Sequence, residues 1–203
     1  MSFDFLLLLD REHLDNGMFL RSLSDKLALK KNNRGIILHT DSAYTDRIIQ
    51  TGVFREEAEK RSLKDLNNRL IALLADSGVP AIGLSGHKKG FVIQNTDGSL
   101  ELDSSFLQKL PKGVHLVMNH LGLSSDNESV IIPFQEMAHA LWQSLSIQEV
   151  IAFRNDDEQG IIATGEPFVL EPNSDISDKN LNMVPSDIKK MPFQVKIIGI
   201  QQF

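Results

Sequence analysis

The 203-residue sequence contains no cysteine. Disulfides, thiol catalysis and thiolate metal sites are excluded with it, and the absence is compatible with a cytosolic protein. Basic side chains are outnumbered, with 21 Lys and Arg against 27 Asp and Glu. A formal net charge of −6 and an isoelectric point near 5.5 argue against nucleic acid or an anionic membrane as partner. A long hydrophobic run is also missing. The most apolar stretch, Phe3–Leu9, is too short to span a bilayer and lacks the basic flank and cleavage site of a signal peptide. A soluble cytoplasmic protein is expected. His39, His87, His115, His120 and His139 share no metal-ligand spacing such as H-E-x-x-H, so no metal site is expected. Ser85 stands in no G-x-S-x-G context, and spacing nominates no nucleophile, base and orienting acid. There is no internal repeat.

What is present is ordinary globular composition, 41% apolar and 24% charged, in a chain long enough to bury a substantial core. Its most ordered phrase is Leu66–Gly86, LNNRLIALLADSGVPAIGLSG. Leu66, Leu70, Leu73 and Leu74 form one apolar stripe of a helix. Gly78 suits the left-handed residue just past its end. Val79–Leu84 reads as a short buried strand with Pro80 at its first-turn or edge position, and Ser85-Gly86 ends it. The remaining elements arrange around this half of a β-α-β unit. Phe3–Leu9 and Gly35–His39 read as buried strands, with a helix over Asn16–Lys30 between them. Thr40-Asp41-Ser42 can cap a helix from Ala43. Arg55–Lys64 reads as an exposed helical face. A hairpin is expected at Phe91–Gln94 and Leu100–Leu102, turning at Asn95–Gly98. A short helix at Phe106–Lys109 and a strand at Val114–Met118 come next, then a polar loop over Gly122–Glu128. Phe134–Leu145 reads as a helix, Glu149–Phe153 as a strand, Asn155–Gly160 as a turn, Glu171–Pro192 as polar loop and Phe193–Ile200 as a last strand. Alternating buried strands and amphipathic helices predict an α/β protein with a mostly parallel central sheet and helices on both faces, a three-layer αβα domain over residues 1–203.

Several phrases carry a family resemblance. Leu66–Gly86 is similar to V-N-K-x-(I/L)-V-x-L-(I/L)-x-x-x-G-x-x-A-(I/V)-G-L-(T/S)-G of the amino-acid kinase family, and of N-acetylglutamate kinase most of all. Leu38-His39 resembles the end of that family's second strand, and Asn127–Ser129 with the following helix resembles G-E-x-x-N-x-N-A-D. Ile151–Phe153 with Asp157–Gly160 resembles its next strand and D-x-x-G turn, and Met183–Pro185 echoes G-G-M-x-P-K. The resemblance implies an amino-acid-kinase-like fold with a truncated C-terminal nucleotide lobe, and phosphoryl transfer from ATP, with Mg²⁺, to a carboxylate. It also implies where that chemistry would sit. The first family lysine falls at about Leu9 and its glycines at Arg11 and Glu12. The second glycine loop falls on Thr40-Asp41-Ser42, the organising aspartate on Gln135 or Glu136, the substrate asparagine near Pro133, and a second lysine on Ser186, with Lys189 and Lys190 behind it. Glycine lets backbone N–H groups reach a phosphate, whereas Asp41 and Glu12 bring negative charge towards it. Fold kept and chemistry lost is therefore the expectation: a kinase-fold protein acting as a small-ligand binder or an oligomeric interaction subunit. The alternative is a divergent active kinase drawing charge from Lys88, Lys189 or Arg11. Candidate ligand contacts, all at the carboxyl edge where open α/β sheets bind ligands, are His39, Thr40, Ser85, Gly86, Lys88 and Asn119. Gln135 and Ser186 occupy the family's catalytic positions. A homodimer through the Arg55–Leu74 helix is expected from the same resemblance.

Overall fold

A computed structural model describes residues 2–30, 32–111, 113–155, 166–172 and 182–203. In chain order the first half comprises β1 (Ser2–Leu9), α1 (Arg11–Asp15), α2 (Gly17–Leu29), β2 (Gly35–His39), α3 (Ala43–Ile49), α4 (Arg55–Asp76) and β3 (Ala81–Ser85). Then follow β4 (Val92–Gln94), β5 (Leu100–Leu102), β6 (His115–Asn119), β7 (Leu121–Ser124), β8 (Ser129–Ile131), α5 (Phe134–Ser144), β9 (Ser146–Phe153), β10 (Phe168–Leu170) and β11 (Val195–Ile198). Seven strands form the main sheet in the order β10-β11-β9-β1-β2-β6-β3. Among the described strands, all its pairings are parallel except β10 with β11.

The apolar run of β1 is continuous because both faces of this central strand are covered. Leu7 and Leu9 face α2 and α4, packing with Leu20, Leu23, Leu27, Leu66, Leu70 and Leu74. Leu6 and Leu8 face the opposite way, towards Met137, Ala138 and Leu141 of α5. That second layer differs from the expectation of helices alone. Beside α5 lies a four-stranded sheet in the order β5-β4-β7-β8, which contributes Val92 and is flanked by Phe91 and Ile132. One of its four strands, β7, falls largely on the stretch expected to be a polar loop, Gly122–Glu128, and β8 begins directly after it. Strands of three and four residues interrupted by Gly122 and Ser124 leave almost no periodic signal. β7 pairs with the adjacent β8 and with distant β4, and the second of these is a contact that propensity cannot see.

Arg55–Asp76 is one helix of 22 residues, so the expected exposed face at Arg55–Lys64 is only its outer side. Ala58, Ser62 and Leu63 are buried on the inner side. The helix stops in a Schellman motif: Val79 N–H donates to Leu74 O and Gly78 N–H to Ala75 O, both at 2.9 Å. Gly78 takes φ +71°, which glycine adopts without steric penalty, and Val79 packs back with Leu74 in the same apolar cluster. β3, expected to be a buried strand, is the sheet's edge, and only Ser85 of its five residues is buried. The last strand is shorter than Phe193–Ile200, ending at Ile198 before a 3₁₀ turn over Ile200–Gln202. β10 lies where no strand is expected from sequence. Of the expected Asn155–Gly160 turn, all but Asn155 lies outside the described residues, as do residues 173–181 of the expected polar loop. Among the described residues no helix is long and apolar enough to cross a membrane.

Candidate functional site

The parallel strands end together at one edge, and alternation divides their final residues between two sides. Apolar residues of β2 and β6 that pack towards α4 are Ile37 and Val117; those that pack towards α5 are Ile36, Leu38, Leu116 and Met118. Two positions beyond Ile37 and Val117 stand His39 and Asn119, which therefore face α4. The next residues, Thr40 and His120, face the α5 side. One residue of shift changes the face completely.

On the α4 side, His39, Asn119 and Ser85 are register partners across β2, β6 and β3. Asn119 donates from Nδ2 to Leu63 O of α4 (3.2 Å) and to Ser85 Oγ (3.3 Å), and its Oδ1 accepts from Leu121 N–H (3.3 Å). His39 Nδ1 lies 2.9 Å from Thr40 O and Nε2 lies 3.2 Å from Asn67 Oδ1 of α4. Burial pushes the His39 imidazole down to about 4, against the raising effect of those two contacts. The ring is thus neutral at pH 7. Nδ1–H donates to the carbonyl, and Nε2 accepts once the Asn67 amide presents its nitrogen. This row fastens the strand ends to α4, and it spends its hydrogen-bonding capacity inside the protein. Gly86 continues it: an added Cβ would collide with the Leu121 carbonyl, so glycine is required here by close backbone approach. Lys88 is exposed, in a 3₁₀ turn over Lys88–Gly90. After burial, its charge and that of Lys64 hold the His87 ring below its ordinary pKa.

The α5 side holds different chemistry. Asp10, directly after β1, caps α1: its Oδ1 accepts from His13 N–H (3.3 Å) and is also bonded by His13 Nδ1. His13 Nε2 in turn lies 3.2 Å from Arg154 O, just beyond β9. Arg11 pairs with Asp46 and stands 3.8 Å from Asp41. His120 donates from Nδ1 to Ile132 O (2.6 Å), and its ring meets that of Phe134, the first residue of α5, edge-on at 6.0 Å. Burial holds His120 below its ordinary pKa, opposed by its backbone bond and by Asp41, so the neutral ring keeps Nε2 as an acceptor. Gln135 Nε2 donates to Asp187 O at 3.0 Å, which brings Gln135 beside the turn carrying exposed Ser186. The Asp187 carboxyl is raised, first by burial and then by Asp10 and Asp41, with Arg11 opposing. Perturbed carboxyls of this kind concentrate at functional sites.

The edge therefore has a structural row (His39, Asn119, Ser85) and a second polar group on the α5 side (Asp10, Thr40, Asp41, His120, Arg154, Asp187). Sequence reasoning names Thr40, Asp41 and, beside Asn119 after its strand, His120 from the second group, and misses Asp10, Arg154 and Asp187. Strand parity, counted from the buried residues of β2 and β6, is the signal that separates them. Among the described residues no three His, Asp or Glu side chains are grouped to hold a metal ion.

No family model and no curated protein sequence matches the chain. Solved structures do. Aspartate kinase from Synechocystis superposes with a TM-score of 0.57 at 13% identity, covering 73% of this chain and 28% of that one. An isopentenyl phosphate kinase gives 0.57 at 16% identity, covering 75% and 72%. N-acetylglutamate synthase from Neisseria gonorrhoeae, solved with coenzyme A and N-acetyl-glutamate, gives 0.55 at 20% identity, covering 74% and 41%. The fold is that of the amino-acid kinases. This amino-acid-kinase-like chain thus spans well under half of two of these three structures. At such identities the likeness fixes the path of the backbone and leaves activity to the side chains described above.

Proposed function

We propose that this amino-acid-kinase-like protein does not transfer phosphoryl groups and holds a small ligand at the α5 side of the sheet's carboxyl edge. The observation that carries this reading is the chemistry of the turns after β1 and β2. A triphosphate needs N–H donors and cations there, because phosphoryl transfer is almost entirely positioning and charge stabilisation. Here the first turn is closed by Asp10, whose carboxylate already caps α1, and the second presents Asp41. Arg11, the cation between them, is committed to Asp46 and Asp41. A carboxylate about 4 Å from a phosphate charge near a protein surface costs roughly 4 kcal/mol of repulsion. The residues present do not fit ATP at those turns.

The finer relationship, to N-acetylglutamate kinase within this fold, belongs to the same proposal and is supported by the Leu66–Gly86 phrase. It supplies the assay. Incubation with ATP, Mg²⁺ and N-acetylglutamate is expected to give no acyl phosphate trapped as the hydroxamate above the protein-free control. Protein-dependent hydroxamate would overturn the proposal and restore the divergent kinase.

Pairing of two copies through the outer face of α4 is part of this reading. That face carries Glu56–Lys60 and Glu57–Arg61 pairs at i,i+4, and Phe54 at its start is 88% exposed. Light scattering at high protein concentration is expected to report a dimer; a monomer removes this part of the proposal.

A further inference from the structure

The least compensated charge among the described residues is Arg154. It follows Phe153 at the end of β9, and only 8% of it is exposed. Its backbone is fixed on both sides: Arg154 N–H donates to Ile198 O (3.0 Å), and His13 holds its carbonyl. Its guanidinium is not held in this way. Nη2 touches the Met183 thioether, and buried Nε and Nη1 have no hydrogen-bond partner. No described carboxylate makes an ion pair with it. The adjacent Asn155 Oδ1 is likewise buried and without a partner. A guanidinium taken from water without a counter-charge is strongly unfavourable, and thioether sulfur is a weak acceptor that recovers little of the loss. Asn155 N–H to Met183 O (2.9 Å) brings the Met183 turn over this group, so the one contact an incoming ligand must displace is the weakest.

We infer that Arg154 is an oxyanion site: the ligand of the carboxyl edge carries a carboxylate or phosphate group that pairs with the guanidinium beneath the Met183 turn, taking Nη2 from the thioether together with Nε or Nη1. This rests on the small-ligand reading and narrows it. One guanidinium matches a single anionic group rather than a polyphosphate, and the mutual proximity of Asp10, Asp41 and Asp187 at the same edge adds no further cation for a longer one.

Thermal denaturation tests it, using the full chain in chloride buffer and then with inorganic phosphate or acetate at matched ionic strength. One of the two anions is expected to raise the melting temperature, by roughly 5–10 °C at a hundredfold excess over its Kd. Phosphate alone assigns a phosphoryl group, and acetate alone a carboxylate. Arg154→Met, which keeps the volume and removes the charge, is expected to melt no lower than the parent in chloride and to lose the anion response. Arg154→Lys is expected to keep a weakened response. Indifference of the parent to both anions overturns the inference. So does Arg154→Met that melts clearly lower or fails to fold, since the guanidinium would then be paired within the protein. Hydroxamate formation in the kinase assay would sink the non-kinase reading and leave the anion response intact, so the two failures are distinguishable.

Discussion

Asn119→Ala is expected to lower the melting temperature by about 6–12 °C, corresponding to roughly 3 kcal/mol at 2–4 °C per kcal/mol for a chain of this size. Asn119 is wholly buried and makes three hydrogen bonds, to α4, to Ser85 and from Leu121. Its removal leaves the Ser85 hydroxyl and the Leu121 N–H without that partner. The loss is expected with or without any ligand, because the row of His39, Asn119 and Ser85 joins sheet to helix. Thr40→Val, at the residue directly after β2, is the control. The Thr40 hydroxyl donates only to the neighbouring Asp41 carbonyl, and about 1 kcal/mol or less is expected. Equilibrium denaturation of both variants decides it. Similar losses in the two would mean that strand parity does not divide the edge into a structural side and an α5 side.

Acidification is expected to destabilise the protein well above the ordinary carboxylate range. In the folded state the His39 imidazole titrates at about 4, against an ordinary 6.5, with burial as the main cause. The unfolded chain therefore takes up a proton first as pH falls. Stability drops between pH 6.5 and about 4 and is flat, for this group, outside that window. A displacement of that size corresponds to about 3 kcal/mol. His115 and His120 are also held low by burial and act with the same sign. Asp187 acts in the opposite sense: its carboxyl is raised, so the native state gains relative stability as this group protonates. Melting temperatures from pH 7.5 to 4.5 should fall steeply below 6.5, and His39→Gln should flatten the slope. A profile level down to pH 5 would show that these rings are not kept neutral by burial.

The fold was largely legible because its signals are local and strong. The leucines of β1 and α4, Gly78 at a helix end and Asn95–Gly98 between short strands each dictate their own conformation. Two kinds of feature were not. The second sheet depends on β7 pairing with β4, and its strands are too short and too interrupted to show periodicity. The site was legible only as an edge. His39, Asn119 and Ser85 were conspicuous because they are polar residues directly ending buried strands, and those are the positions that alternation turns towards α4.

By itself, then, the sequence determined the parallel sheet, the order of its helices and the absence of glycine from the turns directly after β1 and β2, since strand covering, helix periodicity and residue type are written in single stretches. The tertiary structure alone decided which polar residues fasten the edge to α4 and which lie on the α5 side. It alone brought Asp187 towards Asp10 and Asp41, and it left Arg154 Nε and Nη1 buried without a hydrogen-bond partner among the described residues. Those properties depend on distant segments meeting, and the free energy of a charge is set by the groups around it rather than by its neighbours in the chain.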